Sequence, residues 1–288
     1  MAEFFLRQDF AAADAGGALS ACRDAGTLLQ WAVGIADRAA PDDVYRDREG
    51  RKTVRFDRGG RSYFLKLHRG IGWGEIFKNL LQLRLPVPGA GNEYRAVRAL
   101  QAIGVDTMTI AAYARSGRNP ASQQSVIVTD DLVDTVSLED YCLDWADHPP
   151  PPKTRLRLIR KLAETSREMH GAGINHRDYY LCHFHLAESS LDQPSPGCYL
   201  IDLHRAQLRR HVPRRWRAKD LAGLYFSAMD CGLTRRDLLR FIRHYSAGGL
   251  RAALERQPGL WRTVERRARR LYRREHGRES PLLPGEEG

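Results

Sequence analysis

The chain has 288 residues, 42% of them hydrophobic, and 46 Lys and Arg against 35 Asp and Glu give it a net charge of +11. That is enough apolar material for a sizeable core, in one two-lobed globule or two small domains, and no run approaches the eighteen or so apolar residues that a membrane-spanning helix requires. The five cysteines (Cys22, Cys142, Cys182, Cys198 and Cys231) are odd in number and form no Cys-x-x-Cys pair, which argues against a disulfide framework and a zinc ribbon.

The amino-terminal MAEFFLRQDF has an early acid and no long apolar stretch, unlike a secretory signal, so a cytosolic protein with reduced thiols is expected. The first forty residues are Ala-rich and read as one or two weak helices, a helical extension over 1–43. From Val44 to His68 polar and apolar residues alternate, with turn signals at Glu49-Gly50 and Gly59-Gly60, which predicts a three-stranded antiparallel meander. Within SYFLKLH the alternation puts Tyr63, Leu65 and Leu67 on one face and Phe64, Lys66 and His68 on the other. A helix follows over GNEYRAVRALQAIG, with Tyr94, Val97, Leu100 and Ile103 in helical phase, Glu93 on the first turn and Gly104 as the stop. Two short strands are expected near TMTIAAYAR and SVIVTDDL.

The remainder reads as mostly helical. Ser137 caps the helix of SLEDYCLDW, and the prolines of DHPPPP break the chain. From Lys153 to His170 a stripe of Leu156, Ile159, Leu162, Ser166 and Met169 predicts an amphipathic helix that ends at Gly171 and Gly173. Directly after this stop stands INHRDYYLCHFH, in which His176, Arg177 and Asp178 could form a metal site, a structural salt bridge or the catalytic loop of a phosphotransferase. Short strands near CHFHL and CYLIDLH precede the last helices. Between Arg205 and Arg278 lie 21 Arg and Lys against 6 Asp and Glu. Such a surface suits an anionic partner, or is an arginine-rich decoration of solvated helix faces.

Phosphoryl transfer needs a cation on the phosphates, a metal-binding carboxylate and a carboxylate that orients the attacking hydroxyl. Lys66, Asp202 and Asp178 can fill these roles in that order. Asp202 closes the apolar strand CYLI, where an unpaired carboxylate is costly, so it is expected to be paired, metal-bound or at an open strand edge. Taken singly, Lys66 is equally a lysine on a solvated face, and Glu93 a helix-dipole partner.

These stretches together resemble the protein-kinase-like fold. Lys66 falls at the third-strand lysine position, Glu93 at the helix-C position, HRDYYLCH at the catalytic loop and IDLH at the D-F-G segment. More specifically, residues 44–275 resemble the lipopolysaccharide core heptose(I) kinase family (WaaP/RfaP) through RSYFLKLHRG, GVDTM, SLEDYC, AGINHRDYYLCHF, IDLHRAQLRRHVPRRWRAKDLAGLYFS and GLTRRDLLRF. The resemblance implies an α+β, bilobal fold, with a small antiparallel-sheet N-lobe carrying helix C over 44–131 and a larger helical C-lobe over 132–288. It implies transfer of the ATP γ-phosphate to the 4-hydroxyl of the first heptose of the inner core, on the cytosolic side of the inner membrane. Asp178 would accept the sugar proton, Lys66 would hold the phosphates, Glu93 would position Lys66 and Asp202 would bind Mg²⁺. His176 and Arg177 belong to the supporting loop, and Asp220 either braces that loop from a buried helix or is an ordinary acid near a helix start.

Two departures from the general kinase pattern stand out. His183 occupies the place of the asparagine that binds a second magnesium, and imidazole is a poor ligand for that cation. Either His183 bonds the loop or the phosphate, or only one metal is held firmly. The turn YRDREGRKTVRF has a single glycine, so Arg48, Arg51 or Lys52 are candidates to compensate for lost backbone contacts to phosphate. The arginine-rich end suits a phosphorylated glycolipid in an anionic leaflet. In the last helix Trp261, Val264, Ala268 and Leu271 form an apolar stripe that either packs on the large lobe or lies on the membrane surface. Acyl carrier protein stands as a candidate partner, and no nucleic acid is expected.

Two other readings compete. A non-haem iron triad of His176, Asp178 and His204 or His211 predicts a jelly roll, which the helical surroundings of the motif oppose. A basic nucleic-acid-binding module explains the charge but gives the carboxylates no role.

Overall fold

The computed structural model describes residues 2–13, 17–48, 50–70, 72–81 and 89–283. The chain divides into two compact units, residues 1–98 with 108–133 and residues 99–107 with 134–288.

The first unit contains β1 (Glu3–Leu6), α1 (Gln8–Ala12), α2 (Ala25–Arg38), β2 (Val44–Arg48), β3 (Arg51–Arg58), β4 (Arg61–His68), α3 (Gly72–Leu81), the start of α4 (Gly91–Ala102), β5 (Ile110–Ser116) and β6 (Gln124–Asp130). Its strands form one antiparallel sheet in the order β1-β5-β6-β4-β3-β2. The expected meander is β2, β3 and β4. Asp24 caps α2 by accepting from the Thr27 amide, and the apolar face of that helix (Leu28, Leu29, Trp31, Ala32 and Ala36) buries itself on Val54, Tyr63, Leu65, Leu67 and Val128. Each fully buried aliphatic side chain contributes about 1.5–3 kcal/mol, so this face anchors the sheet.

The first forty residues hold two helices, α1 and α2, as expected, and one strand that was not. Four of them, Glu3–Leu6, form an edge strand on β5. Distant charges hold it: Arg7 donates two bonds to Asp130 at 2.8 and 2.9 Å, and Glu3 accepts from Tyr113 at 2.7 Å and pairs with Arg115 at 2.9 Å. Composition alone favours helix there, and pairing with β5 overrides it. In β4 the alternation holds through Lys66 and then fails, because His68 is buried rather than exposed.

The second unit contains β7 (Thr135–Ser137), α5 (Leu138–Tyr141), α6 (Pro152–Gly171), β8 (Ile174–Asn175), β9 (Phe184–Ala187), β10 (Cys198–Leu200), β11 (Gln207–Leu208), α7 (Arg214–Ser227), α8 (Arg235–Tyr245), α9 (Gly249–Arg256) and α10 (Pro258–His276). Its strands form a β10-β9-β7 sheet and a β11-β8 pair. Residues 99–107 belong to this unit because Thr107 donates to the Leu200 carbonyl at 2.6 Å, Leu200 donates back to Asp106 at 2.9 Å, and Lys161 pairs with Asp106 at 2.7 Å. Pro152 starts α6, and Ser137 caps α5 as expected. Gly173 follows α6 at φ +81°, where any side chain would collide with the Arg209 carbonyl, so the chain can turn there only through glycine.

Two expected stripes shift phase. In α6 Ile159, Ser166 and Met169 are buried but Leu156 is exposed, one turn beyond the reach of the core. In α10 the buried positions are Leu260, Val264, Ala268 and Tyr272, packed against α7, so Trp261 and Leu271 flank the interface rather than centre it. Packing against α7 sets this phase, which the sequence read a position away at both ends.

Asp237 ties α8 to α6. It is buried, and it accepts from the Thr234 amide and hydroxyl (3.0 and 2.7 Å), from Arg155 (3.1 Å) and from Arg240 (3.0 Å). Burial pushes its pKa up, but the Thr234 donors and Arg155 outweigh that and hold it below the ordinary carboxylate value. A depressed folded-state pKa contributes stability above the unfolded value of about 3.9, and this is lost as pH falls through the folded value. Asp237→Asn is therefore expected to be less stable than the natural chain at neutral pH, with the gap closing below about pH 4. Urea denaturation across a pH series measures it, and a constant gap would rule the linkage out.

Candidate functional site

Each unit carries one group of the candidate residues. In the first, β4 lies between β3 and β6, where Lys66 sits opposite Thr53 on one side and Ile127 on the other. Its side chain is about one-quarter exposed and its ammonium meets Glu93 Oε1 at 2.6 Å, while the Glu93 side chain is 1% exposed. Glu93 Oε2 has no hydrogen-bond partner among the described residues. A carboxylate this deeply buried is costly unless paired, so α4 and β4 are held in a fixed relation by this ion pair. The reading of Lys66 as a solvated-face lysine fails: the side chain is mostly covered and its ammonium is engaged by Glu93.

In the second unit the loop after β8 is organised by Asp220 of α7. Asp220 is buried and accepts from the backbone amides of His176 and Arg177, both at 2.8 Å, and lies 3.3 Å from His170 Nε2. An ordinary helix-start acid would face water, so the geometry favours the bracing arrangement. The brace matters because Arg177 adopts φ +80°, a conformation costing a non-glycine residue about 1–3 kcal/mol unless its surroundings impose it. Lys219 adds a bond to the Arg177 carbonyl, and the Arg177 guanidinium packs over Trp216 at 5.5 Å. Burial lowers the Lys219 pKa.

His176 is fully buried, and burial depresses its pKa. Its Nε2 lies 2.9 Å from the Ile201 carbonyl, and its Nδ1 accepts from the Asp178 amide at 3.3 Å, a pattern that fits the neutral ring protonated on Nε2. Both nitrogens are thus used inside the protein, which removes His176 from any iron triad. The jelly roll that reading requires is absent from the described residues, and His204 is engaged with Asp202.

Asp178 is partly buried, and both its oxygens accept from Arg205 Nη1, at 2.8 and 3.0 Å. Two such bonds leave lone pairs on each oxygen free to accept a further proton. The Asp178 carbonyl faces His183 Nδ1 at 2.6 Å, so the ring bonds the loop, one of the two roles open to it. His183 Nε2 lies 3.7 Å from Asp202 Oδ2. Asp202 adopts φ +57° just after β10, and its Oδ1 lies 2.6 Å from His204 Nδ1. Its carboxylate is about one-third exposed and therefore reachable.

The structure brings Lys66 to Glu93, and His176, Arg177, Asp178, His183, Asp202 and Asp220 into one network. Reasoning from the sequence missed Arg205 and Lys219. Each directly neighbours a recognised motif, as in IDLHR and AKD, but no spacing rule singles out a cation there.

A lysine salt-bridged to a helix glutamate, a loop aspartate braced through its neighbours' amides and a strand-end aspartate in a left-handed turn are the parts of a protein-kinase-like phosphotransferase. Residues 37–245 match the lipopolysaccharide kinase (Kdo/WaaP) family, and the chain belongs to it. Lipopolysaccharide core heptose(I) kinase WaaP of Pseudomonas aeruginosa is 51% identical over 240 residues, covering 83% of this chain and 90% of its own. The same-named protein of Escherichia coli is 50% identical over 234 residues, covering 81% of this chain and 88% of its own. A solved structure of WaaP in complex with acyl carrier protein matches with a TM-score of 0.77 at 40% identity, over 94% of this chain and 99% of that one.

Proposed function

We propose that this protein is an ATP-dependent lipopolysaccharide core heptose(I) kinase, with the 4-hydroxyl of the first inner-core heptose as acceptor. The observation that carries the mechanism is the setting of Asp178, a partly exposed carboxylate on a loop fixed by Asp220 and paired with Arg205. Asp178 accepts the hydrogen of the attacking hydroxyl, and Arg205 holds it in orientation. Lys66, steadied by Glu93, binds the nucleotide phosphates. The two compact units serve as the N-lobe and C-lobe of the kinase, with residues 1–43 built into the first.

For Mg²⁺ the donors are few. Asp202 offers a reachable carboxylate, and His183 offers at best one nitrogen, with no cluster of three or more His, Cys, Asp or Glu fit for a metal among the described residues. One carboxylate completed by phosphate oxygens and water suits a single Mg²⁺, which when bound neutralises phosphate charge. Asp202 is the residue to hold it, and His183 keeps its bond to the loop.

Acyl carrier protein, the partner of the related WaaP in its solved complex, is a partner here as well. No helix among the described residues is long and apolar enough to cross a membrane, which agrees with a cytosolic enzyme that meets its glycolipid at the inner-membrane face.

The test is direct. Purified protein with Mg-ATP and dephosphorylated core glycolipid is expected to transfer phosphate, and core oligosaccharide from cells lacking the chain is expected to lose one phosphate from the inner heptose by mass spectrometry. An unchanged core mass in those cells would refute the assignment.

A further inference from the structure

Of the two places open to the α10 stripe, the large lobe or a membrane surface, the structure gives the first: its buried apolar side chains pack against α7. The apolar face left open belongs to α3. Trp73, Phe77 and Leu81 stand at i, i+4 and i+8, and they are 51%, 58% and 86% exposed. Helical spacing puts the three on one side, and the Trp73 and Phe77 rings lie 5.9 Å apart at 30°. Three large apolar residues exposed side by side on a ten-residue helix mark an interaction surface rather than incidental exposure.

The helix starts beside a basic turn. The Gly72 amide donates to the Ala121 carbonyl at 2.9 Å and the Arg69 amide to the Gly50 carbonyl at 2.8 Å, so the chain entering α3 is fixed beside the turn joining β2 and β3. Arg48 and Arg51 face each other across that turn, with Lys52 next in β3 and paired with Asp47 at 3.8 Å, and Arg69 stands just before the helix in an exposed pair with Asp37. Between Val44 and Arg84 the sequence holds eleven Arg and Lys against four Asp and Glu.

We propose that α3 is a membrane-docking helix that lays Trp73, Phe77 and Leu81 into the headgroup boundary of an anionic bilayer, with the cations of the adjoining turn on the lipid phosphates. The proposal rests on the reading of the acceptor as a glycolipid. A short amphipathic helix with a tryptophan on its apolar face and basic residues around it has the composition of an interfacial element. A second copy of the chain is the poorer fit. A stable dimer buries about 800 Å² per partner with a depleted charge at its centre, whereas three side chains beside a basic turn offer little area and bring like charges together.

Flotation of the full chain with phosphatidylglycerol-containing vesicles, and with phosphatidylcholine vesicles alone, tests it. Binding is expected on the anionic vesicles, falling with salt, and the combined Trp73→Ser, Phe77→Ser and Leu81→Ser variant is expected to lose on the order of tenfold or more in partitioning. Quenching of intrinsic fluorescence by brominated lipid is expected to fall in Trp73→Phe, a variant that leaves folding unchallenged. Equal flotation of the triple variant, equal binding to neutral vesicles, or a concentration-dependent dimer that the triple variant abolishes would each overturn the proposal. Phosphate transfer to a deacylated, soluble core acceptor is expected to be the same in the triple variant and the natural chain. Failure of that transfer in the natural chain would strike the kinase assignment alone, since flotation does not depend on it.

Discussion

Replacing Asp178 by Ala is expected to cut phosphate transfer by about 10²–10⁴ while leaving the protein folded, equivalent to roughly 3–5 kcal/mol of barrier. The separation of the two effects comes from how the loop is built. Its conformation is imposed by Asp220 on the amides of His176 and Arg177 and by the buried His176 ring, and the Asp178 side chain takes part in neither contact. Its side-chain partner among the described residues, Arg205, is about one-third exposed and returns to water when the carboxylate is removed. Asp178→Asn tests the same point more sharply. It retains the size and one acceptor oxygen but no longer accepts a proton at neutral pH, so its transfer rate is expected to lie near that of the Ala variant. Initial rates with Mg-ATP, read beside a thermal melt, decide the matter. Near-normal turnover in either variant would show that another group takes the proton.

The second large effect is expected at Asp220. Ala in its place leaves the His176 and Arg177 amides without their acceptor in a buried site and removes the carboxylate beside His170. Hydrogen bonds to a charged group contribute about 1.5–3 kcal/mol each, and breaking a buried charged network by truncating one member costs about 3–5 kcal/mol. The melting temperature is expected to drop on the order of 10 °C. Activity is expected to fall as well, because the Lys219 bond to the Arg177 carbonyl and the packing over Trp216 do not replace the acceptor of the two amides, and the loop carrying Asp178 relaxes from the φ +80° turn. Asp220→Asn keeps one acceptor but turns an amide NH₂ toward one of the two N–H donors, so it is expected to fall between the two. A melting temperature within about 2 °C of the natural chain for Asp220→Ala would mean that the loop is held by other contacts.

The site was legible in the sequence to the extent that its chemistry is carried by residues at fixed local positions. Lys66 stood out because it interrupts an apolar strand, Asp178 because it follows a helix stop, and Asp202 because it closes an apolar run. Arg205 was invisible as a partner of Asp178. It stands 27 residues downstream, and only the turn after β10, with Asp202 at φ +57°, returns the chain toward the loop. His183 was left between two roles for the same reason. A ring nitrogen's partner is set by the fold of the loop, and the short bond to the Asp178 carbonyl assigns it.

The fold shows the same division. Alternation marked out β2, β3 and β4, and proline, glycine and capping serine marked the ends of α5 and α6, because strand pleat, helix pitch and terminal amides depend on neighbouring residues alone. Tertiary contacts decided which face met which partner. Glu3–Leu6 became a strand through β5, Arg115 and Asp130, residues more than a hundred positions away. The α10 stripe took its phase from α7, and α3 kept its tryptophan and phenylalanine in the open. Local periodicity determines that a helix has an apolar face. What covers that face depends on segments distant along the chain, and only their packing in three dimensions separates a core helix from a surface one.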